Sequence, residues 1–174
     1  MKHDDLRRLS QHLTDESPMT QVALDDLQNP ERIRRQLVHE LERNIRDHGS
    51  GDDLTRRIMD VTGMDANRAK RISVTERTRT SNGERYKRLI DEFLRDYDKS
   101  VRWHKKRPKK PRVQWVHRPV AKEPRQRHIA LSGEVKDIGE EFLPGVKFPG
   151  DPDGPAAEVI SCHCYIRRYV FRRR

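Results

Sequence analysis

Two cysteines two positions apart, Cys162 and Cys164, are the residues of this sequence whose types and spacing best suit metal chemistry. Side chains at i and i+2 of a β-strand lie on one face, so both thiolates could bind one ion if His128 or Glu158 completed the site. Zinc is the expected ion because it prefers thiolate and imidazole ligands. The alternative is that one cysteine is simply buried near the start of a strand and the other has no role. Two thiols this close would strain a disulfide, so we expect a reduced pair.

A catalytic site could draw on the same part of the chain. His128, Arg125 and Glu158 are residue types that a metal-independent nuclease or toxin-like enzyme uses. A Cys–His nucleophile pair would also need an orienting third group and an oxyanion donor, and the sequence has no recognised local signature for either. Histidines in so polar a chain are more often structural or solvated. We therefore expect no enzymatic activity. The alternatives are a nuclease or toxin-like enzyme that uses His128, and a zinc-stabilised nucleic-acid-binding module with no role in a virion.

The positive charge of the chain is concentrated between residues 101 and 128. This stretch contains 11 Lys and Arg and one acidic residue, and its net charge of +10 equals the formal charge of the whole chain. The natural counterpart is a phosphate backbone or an acidic protein face, and the alternative is a solvated loop that aids solubility. No base-reading motif is present, so binding should be sequence-independent. The candidate contacts are Trp103, Lys105, Lys106, Arg107, Lys109, Lys110, Arg112 and Trp115.

Length and composition restrict the class of protein. The chain has 174 residues, of which 32% are hydrophobic and 38% charged, with a mean hydropathy of −1.08. It can bury one modest core, and parts of it are expected to fold only against a partner. No apolar run of about 18 residues predicts a membrane span, the first residues do not resemble a secretory signal, and two cysteines cannot build a disulfide framework. These features predict a soluble protein without a secretion step.

Helical patterns fill the first half of the chain. Asn29-Pro30 and Gly49 bound a first helix, whose apolar residues Ile33, Leu37, Leu41 and Ile45 form a stripe. The stripe either docks a partner helix or packs on this chain's own core. A second helix fits Asp52 to Val61, ended by Gly63.

A third helix is predicted from an N-cap at Asp65 to about Tyr97, with an irregularity at Asn82-Gly83. Its middle, VTERTRTSNGER, is unusually polar. Such a segment is either a solvated face or a place where side chains hold a neighbouring element.

Prolines and short apolar runs characterise the second half. Pro108 and the later prolines end the helical pattern. We predict strands at Val113–Val116 and Cys164–Phe171, an extended piece and turn from His128, and one helical turn from Pro155 to Val159. The fold class is therefore α+β, a helical N-terminal half followed by a small loop-rich unit containing β-structure. The predicted organisation is a helical arm at 1–50 that could depend on a partner, a helical part at 51–98, and a basic loop with a small α+β unit at 99–174.

Five motifs occur in an order that resembles a known family. They are Arg71-Ile72-Ser73-Val74-Thr75-Glu76 with Asn82 after it, then Trp115, then Arg125 with His128 and Gly133, then Phe142 with Pro149-Gly150-Asp151-Pro152, and finally Ser161-Cys162-His163-Cys164. Over about residues 52–172 this order and spacing resemble the phage Mu F-like minor head proteins, the phage head morphogenesis family. Ser161 and His163 stand where the family has Asn and Arg, Val74 stands where it usually has Arg, and the family's acidic residue before the Arg has no counterpart unless it is Glu123.

The resemblance implies a structural role rather than catalysis. Members are minor capsid components of phages and prophages, associated with the portal and the major head proteins in the virion, and with the host cytoplasm during assembly. The basic stretch would then lie against packaged DNA or an acidic surface near the portal vertex, and neither a membrane nor a small-molecule substrate is expected. The resemblance also implies that His128 and the two cysteines tie the loop after Gly133 to the terminal strand, with or without metal. Thr75, Glu76, Gly133, Pro149 and Asp151 would be structural motif residues.

Overall fold

The computed structural model describes residues 4–8, 11, 30–120 and 124–170. A short helical segment at residues 4–8 precedes the main elements. The helices are α1 (Pro30–Arg46), α2 (Gly51–Thr62), α3 (Ala66–Arg102), α4 (Gln126–Ala130) and α5 (Ala156–Val159), and the strands are β1 (Arg112–Val116), β2 (Val135–Asp137) and β3 (Tyr165–Tyr169). The three strands form one antiparallel sheet in the order β2-β1-β3. The predicted α+β fold class is confirmed.

The first helix packs on its own chain. Leu37 and Leu41 are buried with Leu54 and Ile58 of α2 and with the start of α3, in a cluster that we call the N-terminal core. Of the two interpretations of the stripe, packing on this chain's own core therefore accounts for Leu37 and Leu41. Ile45 is 44% exposed, so its predicted place in the stripe is wrong: a spacing of four drifts about 40° around the helix at each step. The predicted N-cap Asn29 and residue Glu123 lie outside the described residues.

Local capping sets the ends of α2 and the start of α3. The Ser50 hydroxyl accepts a hydrogen bond from the backbone N–H of Asp53 at 3.1 Å, and the Asp53 carboxylate accepts one from the Ser50 N–H at 3.0 Å. This capping box starts α2. Gly63 ends it with a left-handed φ of 69°. Asp65 caps α3 through the N–H groups of residues 67 and 68. The predicted stop and N-cap are confirmed.

The third helix is one continuous element of 37 residues, about 55 Å long at 1.5 Å per residue. The predicted irregularity at Asn82-Gly83 is wrong, and the helix continues past Tyr97 to Arg102. A Cβ at Gly83 would meet the ring of Phe148 at 3.8 Å, an ordinary van der Waals distance. Gly83 therefore lies in the helix without breaking it, and the packing does not require a glycine there.

The second half of α3 and the sheet enclose a second cluster, the C-terminal core. Its largest members are Trp115 of β1, Tyr86 of α3 and Phe148. The predicted extended piece from His128 is wrong, since residues 126–130 form the short helix α4. One helical turn directs the imidazole of His128 against Trp115, with their ring centroids 5.2 Å apart. The strands predicted at Val113–Val116 and after Cys164 and the helical turn ending at Val159 are present, while residues 171–174 are not described.

The described helices include none that is both long and apolar enough to span a bilayer.

Candidate metal centre and nucleic-acid interface

His128, Cys162 and Cys164 meet inside the C-terminal core. Their ligand atoms all lie within 4.8 Å of one another, and all three side chains are buried. The Nδ1 atom of His128 is 3.5 Å from the Cys162 sulfur and 3.7 Å from the Cys164 sulfur. Both cysteines are free thiols. The three residues that the sequence singled out thus form a cluster that could hold a metal ion.

Glu158 contacts the opposite nitrogen of the same ring. Its Oε2 lies 3.0 Å from Nε2 of His128, and its side chain is 14% exposed. The carboxylate therefore does not complete a ligand set with the sulfurs, and its prediction as a ligand is wrong. It is placed to fix the ring so that Nδ1 faces Cys162 and Cys164, as the carboxylates behind metal-bound histidines do.

The two thiols differ in acidity because they share one hydrogen bond. That bond lowers the pKa of Cys164, and contact with His128 lowers it further. The same bond, together with burial, raises the pKa of Cys162. The pair therefore favours one thiolate, at Cys164, and a thiolate is the form that binds metal.

The cysteines lie in the segment before β3 and not within the strand, which begins at Tyr165. Their shared orientation therefore comes from how α3 and α4 hold this segment. Thr75 accepts a hydrogen bond from the N–H of Ser161 at 2.9 Å. Thr78 donates to the carbonyl of Cys162 at 2.6 Å. From the other side, Arg125 donates to the carbonyl of Ile160 at 2.6 Å.

Asn82 links α3 to two further segments. Its Nδ2 donates to the carbonyls of Pro149 at 3.0 Å and Cys164 at 3.2 Å, while its Oδ1 accepts from the N–H of Ile166 at 3.1 Å. The side chain is buried. Of the two interpretations offered for the polar middle of α3, the second is confirmed: its side chains hold neighbouring elements.

Thr78 was missed as a site residue by the sequence analysis. The available signal was its spacing: positions 75, 78 and 82 recur at helical intervals and so share one face of α3. A row of short polar side chains on an inward face indicates hydrogen bonds to a packed loop.

The other motif residues are structural in the fold. Glu76 and Arg79 form a buried ion pair on α3 with Nε and Oε2 3.5 Å apart. Gly133 has a φ of 96° and donates its N–H to the carbonyl of Trp115 at 2.9 Å.

Asp151 organises the loop from 147 to 154 from the inside. Its carboxylate accepts hydrogen bonds from the N–H groups of Lys147 at 2.7 Å and Asp153 at 3.2 Å. Only 1% of the residue is exposed. Burial raises its pKa from 3.8 to about 6, against the opposing effect of these bonds and of Lys147.

The basic segment, which we define as residues 103–112, leaves the end of α3 and enters β1. Trp103 is 65% exposed, and the basic side chains of the segment are exposed or half-buried: Lys105, Lys106, Arg107, Lys109, Lys110 and Arg112. Arg107 and Arg112 each lie over a tyrosine ring, Tyr97 and Tyr169 respectively. Trp115 is fully buried, so its prediction as a nucleic-acid contact is wrong. Alternate residues of β1 face the core, and Trp115 is one of them.

The residues of the nuclease alternative are near one another but already engaged. His128 is 3% exposed, and both of its nitrogens have partners. Arg125 is bonded to a backbone carbonyl, and Glu158 faces the imidazole. These contacts hold loop segments together. Nuclease activity stays a hypothesis.

Comparison with known proteins gives one informative likeness. No family model matches the chain, and no solved structure matches it. The chain is similar to the uncharacterized protein YqbB of Bacillus subtilis (strain 168), with 28% identity over 142 residues. The match covers 78% of this chain and 42% of YqbB. The chain thus spans less than half the length of this curated relative.

Proposed function

We propose that this chain is a phage or prophage minor head protein of the Mu F-like kind. It would be bound to the portal and major head proteins in the virion, be present in the host cytoplasm during assembly, and contact packaged DNA without sequence preference. One observation carries the proposal: the motif residues that resemble the family, from Thr75 to Cys164, converge on one set of mutual contacts. Thr75, Asn82, Arg125 and His128 each hold the segment around the two cysteines.

The backbone before Cys162 adds support. Ser161 has a left-handed φ of 54°, a conformation in which Asn is enriched among non-glycine residues. The family has Asn where this chain has Ser161, so the family pattern suits the backbone that this position adopts.

The basic segment supports the contact with DNA. It places flexible lysines on the surface, where they can follow a phosphate backbone without reading bases. Trp103 adds an exposed aromatic ring for stacking.

Zinc is the ion we propose for the cluster. With Zn–N near 2.05 Å and Zn–S near 2.3 Å, a tetrahedral ion separates its nitrogen and sulfur ligands by about 3.6 Å. The observed Nδ1–Sγ distances of 3.5 and 3.7 Å fit that separation. His128, Cys162 and Cys164 would hold the ion, which would supply a structural cross-link between α4 and the segment before β3.

The DNA contact is tested with the basic segment. Changing Lys105, Lys106 and Lys109 to Gln should weaken binding to duplex DNA and reduce the slope of log K against log salt by about 2.7, because each phosphate contact contributes about 0.9. A control variant carries Gln at three exposed helical arginines, Arg35, Arg88 and Arg95. Fluorescence anisotropy over a salt series is the measurement. An equal effect in both variants, or binding that salt does not weaken, would contradict the proposal.

The virion role is tested on particles. The protein should co-purify with portal protein in particles made by a host that carries the surrounding phage genes. Its absence from purified particles would refute the assignment.

The zinc proposal is tested by elemental analysis of protein purified without chelator. We expect about one zinc per chain, and its loss together with stability in Cys164→Ser. Glu158→Gln should retain the fold but bind zinc 10- to 100-fold more weakly, because the carboxylate positions His128. Glu84→Gln, at an exposed position of α3, is the matched control. Metal-free wild-type protein that takes up no added zinc would exclude the site.

A further inference from the structure

A concave cleft of about 560 Å³ lies beside the cysteine segment, and no residue of the basic segment is among the described residues that line it. Its walls are the first turn of α2, one face of α3, and the residues around His163. Nothing in the family resemblance assigns a role to this cleft.

Four cations line it. Lys70, Arg77 and Arg85 occupy one face of α3, and Arg118 follows β1. From position 70 to position 85 the helix rises about 22 Å, so the α3 cations form a row along the cleft. In the part of the chain that the structure describes, none of the four pairs with a carboxylate at ion-pair distance, although Asp52 lies on the cleft wall.

The position of Arg77 depends on a glycine. A Cβ at Gly51 would come within 2.9 Å of Nη1 of Arg77, so the guanidinium lies directly over the backbone at the start of α2. The hydroxyl of Ser73 donates to the carbonyl of Gly51 at 2.9 Å and fixes α2 against α3. The two walls of the cleft that α2 and α3 form are thus held together.

We infer that this cleft binds the phosphate backbone of a single-stranded nucleic acid. The inference rests on the proposed contact with nucleic acid. It adds a second site, which binds a single strand, whereas the basic segment contacts duplex DNA. Arg118 lies over the ring of Tyr165, 5.7 Å from its centroid. A row of cations without carboxylate partners suits successive phosphates, and guanidinium groups bind them in a bidentate manner. The concave shape admits a single strand, whereas a duplex needs a broad exposed surface such as the basic segment. Charged and hydroxyl side chains are the most numerous in the walls, and the cations and hydroxyls among them can donate hydrogen bonds to phosphate oxygens along the strand.

Binding of a labelled oligodeoxythymidine of about twelve nucleotides tests the inference, since single-strand sites span about 4–16 nucleotides. In Arg77→Gln/Arg85→Gln we expect binding about tenfold weaker and a salt slope smaller by about 1.4, at 0.7 per lost contact. Arg35→Gln/Arg88→Gln is the control with the same charge change outside the cleft. Both cleft arginines are exposed, and circular dichroism checks the fold. Lys70→Gln/Arg118→Gln serves as the second variant.

The outcomes separate the two proposals. If both cleft variants bind the oligonucleotide as the control does, while the Lys105/Lys106/Lys109 variant loses duplex binding, the cleft inference is overturned and the proposed function stands. If the wild type binds neither nucleic acid, both fail. Binding of poly-glutamate that requires Arg77 and Arg85, without oligonucleotide binding, also overturns the inference and identifies an acidic partner.

Discussion

At the residue scale, Asp151 shows how a buried acid can hold a loop at a cost in free energy. Two backbone N–H groups and Lys147 favour its charged form, but burial outweighs them and raises the pKa to about 6. The folded protein therefore holds this proton more tightly than the unfolded chain, whose carboxyl has its ordinary pKa of 3.8. Stability from this group is present below the unfolded pKa and is lost as the pH rises through the folded value.

The comparison of wild type with Asp151→Asn should reveal this effect. The stability of the wild type relative to the variant should fall by about 2 kcal/mol between pH 4 and pH 7, since each pKa unit corresponds to 1.36 kcal/mol and part of the full difference is already lost at pH 4. Urea unfolding at several pH values measures the difference. Because the amide does not titrate, a difference that stays constant or increases with pH would show that Asp151 is ionised in the folded protein at pH 4.

The sequence predicted the cluster of His128, Cys162 and Cys164 but not the positions of its neighbours. Residue type and spacing identify thiols and an imidazole as potential ligands. Which ring nitrogen faces the sulfurs depends on Glu158, whose place follows from the fold of α5 against α4. Trp115 was misassigned because an aromatic residue between cations looks the same in sequence whether its strand turns it outward or inward.

At the element scale, two glycines at α3 differ in what a Cβ would meet: Gly83 lies within the helix, and Gly150 packs against the helix backbone at Arg79. Gly83→Ala should stabilise the protein by about 0.5–1 kcal/mol, because Ala favours the helix and its Cβ meets Phe148 at an ordinary 3.8 Å. Gly150→Ala should destabilise it, since Gly150 has a φ of 82° and its Cβ would lie 2.8 Å from the backbone of Arg79. Thermal unfolding of both variants is the measurement. Destabilisation by Gly83→Ala would show that the Phe148 contact has no room for a methyl group.

Helix ends were predictable and helix continuity was not. Ser50, Gly63 and Asp65 act through bonds to residues within a few positions, so the sequence alone carries their effect. Asn82-Gly83 resembles a break in isolation, yet its partners lie more than 60 residues away in the segments around residues 148, 149 and 164. Contacts with residues so distant in sequence cannot be predicted from the residues around Asn82-Gly83.

At the scale of the whole molecule, α3 contributes to both cores, with its first turns in the N-terminal core and its later turns in the C-terminal core. Leu41→Ala should cost about 2–5 kcal/mol, because the side chain is 2% exposed and its removal leaves a cavity. Amide exchange should accelerate in α1 and α2 and much less in β1 and β3. Ile45→Ala, at an exposed position of the same helix, is the control. Equal acceleration in the sheet would show that the two cores unfold together.

The bonds of Asn82 have a consequence for self-association. Among the described residues, strand β3 has a strand neighbour, β1, on one side, and on the other side the amide of Asn82 donates to the carbonyl of Cys164 and accepts from the N–H of Ile166. A side chain thus occupies two backbone groups at the start of this edge that an added strand would otherwise bond. It shortens the part of β3 that could act as a template for edge-to-edge aggregation at high local concentration.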